Sequence, residues 1–72
     1  MDERSEFDSA EARRILGDRI EAGRRAGNGA DLGDALAQLG QIERREGNRD
    51  AAIALYRRLH RLFFKLDLFH LL

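Results

Sequence analysis

Cysteine, proline and tryptophan are absent from the chain. Without cysteine there is neither a disulfide framework nor a thiolate zinc site to reinforce a small core, and a thiol nucleophile is excluded. Without proline, and with few β-branched residues beyond four isoleucines, the sequence favours helices over strands. Excess charge is missing too. Over 72 residues, 13 Lys+Arg balance 13 Asp+Glu, which removes the bulk attraction to phosphate that most nucleic-acid binders show. Ser5 and Ser9 are the only serines, both in or beside an acidic leader, so no Ser/His/Asp set is credible. His60 and His70 are too far apart along a helix for the i, i+4 pairing of a metal site. Neither an enzyme, nor a metal or other cofactor, nor a small-molecule substrate is therefore expected.

The length allows one small domain. Residues 1–8 read as an acidic, flexible leader in which Asp2, Glu3, Glu6 and Asp8 outnumber Arg4. No basic flank is joined to an apolar run there, so neither a secretion signal nor a membrane association is expected, and the chain reads as soluble and cytoplasmic. The charge is uneven all the same. Residues 1–34 carry six basic against nine acidic side chains, and residues 35–72 seven against four.

Gly27-Asn28-Gly29 and Gly47-Asn48 suit the left-handed backbone that ends a helix, and they divide residues 9–72 into three helices. The first begins with Asp8 as N-cap, Glu11 completing a box-like start, and runs to about Ala26 with a stripe of Ala12, Ile15, Leu16 and Ile20. Gly17 and Gly23 lower its intrinsic stability by roughly 1 kcal/mol each relative to alanine. The second helix, about 30–46, opens near Asp31 and Asp34, closes on Arg44 and Arg45, and buries Leu32, Leu36, Leu39 and Ile42. The third starts at Asp50, is apolar to an unusual degree, and either continues to the end or turns near Asp67. Gly27-x-Gly29-x-x-x-Gly33 imitates a dinucleotide loop, but no strand precedes it, and the phosphate-cradling turn requires one.

Arg24-Arg25-Ala26-Gly27-Asn28 returns as Arg44-Arg45-Glu46-Gly47-Asn48 at the end of the next helix, an echo that suggests a repeat. Around the second copy, the order Leu36, Leu39-Gly40, Gly47, Ala52, Tyr56, Leu59 resembles the tetratricopeptide repeat, a helix–turn–helix unit of 34 residues. Gly40 would let the next helix approach, Ala52 would sit where the two cross, and Tyr56 would fill the gap beyond. Glu43 stands where the family usually has an aromatic residue, and the match covers about 33–66, half the chain. The resemblance implies an all-α fold: an antiparallel hairpin plus one flanking helix, about one and a half repeats of a right-handed solenoid. It also implies a protein-interaction module, with a peptide-binding face mapping to Asp34, Gln38, Gln41, Arg44 and Arg45.

One repeat cannot bury its own apolar face, so neighbours must come from elsewhere. In the third helix, Ala52, Leu55, Leu59, Leu62, Leu66 and Phe69 recur at alternating spacings of three and four, beside a second row of Ile53, Tyr56, His60 and Phe63. Leaving such residues in water would forfeit on the order of 10 kcal/mol, comparable to the whole stability of a small domain. Self-association through Leu55, Leu62, Phe63, Leu66, Phe69 and Leu72 is therefore expected, as a two-fold homodimer or by helix exchange. Alternatives are a fragment of a longer array, or the dimerisation module of a nucleic-acid-associated regulator. The ridge Arg57, Arg58, Arg61 and Lys65 lacks stacking aromatics and any recognised binding motif, so an acidic protein segment, the chain's own leader among them, suits it better than nucleic acid.

Overall fold

A computed structural model describes the backbone of residues 8–71 and the side chains of residues 8–65. It contains α1 (Ser9–Ala26), α2 (Gly29–Arg45) and α3 (Arg49–Leu71), with no strand among the described residues.

Each helix start has a local cause. Asp8 caps α1, its carboxylate accepting from the backbone N–H groups of Ala10 and Glu11 at 3.1 and 3.4 Å. Glu11 does not complete a capping box; it takes two hydrogen bonds from the Arg14 guanidinium instead. The second helix opens at Gly29 with Asn28 as its cap: Asn28 Oδ1 accepts from the Asp31 N–H at 3.1 Å, and Asp31 occupies the first turn as its charge suits. The third opens at Arg49, one residue before Asp50, and runs unbroken through Asp67, where a turn was an open possibility.

The repeated pentapeptide builds the same turn twice. Gly27 and Gly47 both adopt positive φ, 67° and 83°. The Asn28 N–H donates to the Gly23 carbonyl and the Gly27 N–H to the Arg24 carbonyl; likewise Asn48 to Glu43 and Gly47 to Arg44. These paired bonds are the Schellman ending of a helix, and they fold the chain back so that neighbouring helices pack together.

The middle helix is the centre of the fold: α1 and α3 both pack on α2, and make no close backbone approach to each other. Leu16 and Ile20 of α1 join Ala35, Leu36 and Ile42 of α2 in the core, flanked by Leu32, Leu39, Leu55, Leu59 and Leu62. Because α1 touches one helix only, a narrow stripe suffices, and Ile15, expected on that stripe, falls beside it and is 44% exposed. Glycines set the crossings. At Gly23 a Cβ would meet the Leu32 backbone at 3.1 Å, and at Gly33 the ring of Phe63 at 3.2 Å. Ala52, small as anticipated, is buried in α3.

Candidate interaction surfaces

At one end of the bundle, a polar cluster ties α1 to the α2–α3 turn. Arg13 donates to Glu43 through Nε at 2.8 Å and Nη2 at 3.2 Å, and the Asn48 amide donates to Glu43 Oε1 at 2.7 Å. Glu43 is buried, and all its side-chain needs are met. The Arg13 hydrogen bonds, then that of Asn48, hold its carboxyl below the usual 4.5, against the opposing effect of burial. At the rim, the Ser9 hydroxyl donates to Glu46 at 3.0 Å, and the Arg13 guanidinium lies 4.0 Å from the same carboxylate. Sequence reasoning missed this cluster as a site. Its signal was the acid at position 43, in the place where the resemblance asks for an aromatic.

The expected peptide-binding face is accessible but partly occupied. Asp34, Gln38, Gln41, Arg44 and Arg45 are all exposed along α2. Asp34 is already engaged, accepting from Arg19 at 3.2 Å and from Gln38 at 2.9 Å. Among the described residues, the grooves lie elsewhere.

The structure divides the expected self-association residues. Leu55 and Leu62 are half-buried and packed against the core shared by α1 and α2, and Leu62 also lines an open groove. The reason is geometric: with Gly33 and Gly40 lining α2, α3 lies close enough to use that row within the chain. Phe63 is half-exposed, and Leu66, Phe69 and Leu72 lie outside the described side chains. The apolar surface open to water on α3 is Ile53, Phe63 and Phe64, at 44, 49 and 62% exposure. Phe64 was absent from the expected set because it belongs to neither of the two rows read from spacing.

The ridge Arg58, Arg61 and Lys65 is part of something concave. Together with Leu32, Leu36 and Leu62 it lines an open groove of about 200 Å3. A second hollow continues it past Gly23, Arg24 and Gly27, sharing Leu32, Leu62 and Lys65. The floor is leucine and the α3 wall is cationic. Open along its length rather than enclosed, this trough suits side chains of a polypeptide.

Among the described residues, no group of three metal-ligating side chains converges, and no helix is long and apolar enough to cross a membrane. Compared with known protein families, curated proteins and solved structures, the chain matches none.

Proposed function

We propose that the chain is a protein–protein interaction module that pairs with a second copy of itself through α3. The observation behind this is Phe64, 62% exposed on α3 next to the half-exposed Phe63, with Ile53 exposed about three turns away. Burying aromatic side chains of this size is worth about 1.5–3 kcal/mol each, so a surface that leaves them wet favours a partner. A second copy is the occupant that α3 itself suggests. At 23 residues it is longer than α2 at 17, and it continues six residues beyond Lys65, which sits beside Gly29 at the start of α2. An equivalent helix laid against Phe64 under two-fold symmetry would cover it.

In this reading residues 33–66 act as a tetratricopeptide-like unit, working in the cytoplasm, whose missing neighbour comes from the partner copy. The close approach of Gly40 to Tyr56 supports the repeat assignment, since it uses the two positions in the way the resemblance implies. The exposed face Asp34, Gln38, Gln41, Arg44 and Arg45 remains available for a partner peptide. No catalytic group, cofactor or nucleic acid takes part.

Sedimentation equilibrium of the full chain and of Phe64→Glu tests the reading. The wild type is expected at twice its 8.2 kDa chain mass at micromolar concentration. The variant, changed at an exposed position, is expected at the single-chain mass with its helical circular dichroism intact. A wild type that sediments as a fully helical single chain across the micromolar range overturns it.

A further inference from the structure

We propose that the cationic groove between α2 and α3, with the hollow that continues it to the end of α1, receives the acidic leader of a second copy of this chain. Asp2, Glu3 and Glu6 would face Arg58, Arg61 and Lys65, with Phe7 on the leucine floor. The proposal rests on the self-pairing described above and names a further segment that the partner copy contributes.

The charge pattern supports this occupant. On α1, Arg13, Arg14, Arg19 and Arg24 are paired with carboxylates within the fold, while Arg25 has no such partner among the described residues. Among the described residues, Arg58, Arg61 and Lys65 have no ion-pair partner, although they border a leucine floor where a carboxylate would be partly shielded from water. Glu21, on the neighbouring stretch of α1, is held by Arg24 at 2.8 Å and acts on Arg58 only through space. The chain's densest acidic stretch is its leader, and it carries the aromatic Phe7 between Glu6 and Asp8. Acid and aromatic are therefore adjacent in the leader, as cation and leucine are in the groove.

Reach decides between the same chain and another. The groove lies beside Gly23, Arg24 and Gly27, at the far end of α1 from Asp8. At 1.5 Å per residue, the 18 residues of α1 span about 27 Å. Phe7 is one residue from the Asp8 cap, and consecutive Cα atoms are only about 3.8 Å apart. It cannot arrive at the groove of its own chain, whereas the leader of a second copy is under no such limit.

The absence of cysteine permits a direct test. A full chain carrying Ser5→Cys, labelled there with a nitroxide, is mixed with a 15N-labelled full chain. The expected result is selective broadening of the amide signals of residues 27–32 and 58–65 in the 15N chain. That broadening should disappear when the 15N chain carries Arg61→Glu and Lys65→Glu. Broadening elsewhere only, none at all, or broadening that survives the charge reversal overturns the proposal. So does a short single-stranded RNA that shifts Arg58, Arg61 and Lys65 where the leader leaves them unchanged. Sedimentation of the same mixtures reads the α3 pairing separately. A double-mass species without broadening at the groove removes leader docking alone, and groove broadening with only single-chain mass removes the α3 pairing alone.

Discussion

Arg13 on α1 grips Glu43 on α2 through two guanidinium nitrogens at 2.8 and 3.2 Å, thirty residues away along the chain. Glu43 is buried while the Arg13 side chain is 35% exposed, so the two ends of the pair are not equivalent. Removing Arg13 leaves a buried anion with only the Asn48 amide to answer it. Arg13→Ala should therefore lower the urea midpoint of the fold. Arg13→Ala combined with Glu43→Gln should cost less than the sum of the two single changes, because the uncompensated charge is then gone.

The same pair predicts a dependence on pH. Glu43 has its carboxyl held below the usual 4.5 in the folded state, so the unfolded chain binds the proton more readily. The resulting stability is fully present above that unfolded value. It is lost as pH falls below about 4.5 toward the lower folded value. Thermal melting should change little through this carboxyl between pH 7 and 5 and decline below. Glu43→Gln should make that acid-side decline shallower, and a wild type whose melting temperature rises on acidification contradicts the assignment.

Gly40 and Tyr56 offer a separate test of how α2 and α3 cross. A Cβ at position 40 would stand 2.8 Å from Tyr56 Cε1 and 2.9 Å from Cζ, closer than real contacts permit. Gly40→Ala gains about 1 kcal/mol of helix preference but must displace the ring, an overpacking cost of typically about 1–3 kcal/mol. A net loss of stability is expected. In a Tyr56→Ala background the obstruction is absent, and the same change should become neutral or favourable. Equal losses in both backgrounds, by denaturant titration, would mean that ring contact is not the cause.

How much of this was legible beforehand follows from the range of each interaction. Asp8, Gly27 and Gly47 act on atoms within a few residues, so the three helices and their endings could be read from local chemistry. Gly40 could be read as the place where the next helix approaches and Tyr56 as filling a gap beyond Ala52, but that the ring rests on Gly40 itself could not. The fate of Leu55 and Leu62 was not, since spacing shows that a row exists but not which helix covers it. The groove was hidden for the same reason: Leu32, Arg58 and Lys65 come together only where α3 packs on α2. Phe64, outside both rows, became notable only once its exposure was known.

The two glycines inside α1 look equivalent in sequence, yet their surroundings predict opposite responses. A Cβ at Gly17 meets nothing within 4 Å, whereas one at Gly23 would meet backbone atoms of Leu32 at 3.1 and 3.3 Å. Both sites are helical, so alanine offers each the same intrinsic gain, about 0.5–1 kcal/mol from reduced freedom of the unfolded chain. At Gly17 nothing opposes that gain, and Gly17→Ala should stabilise the chain by about that amount. At Gly23 the obstacle is main chain, which cannot swing aside as a side chain can, so the α1–α2 crossing must widen and loosen Leu16 and Ile20. Gly23→Ala should therefore lower the urea midpoint while Gly17→Ala raises it. If the two variants moved the midpoint in the same direction, α1 would not rest on Leu32 through Gly23.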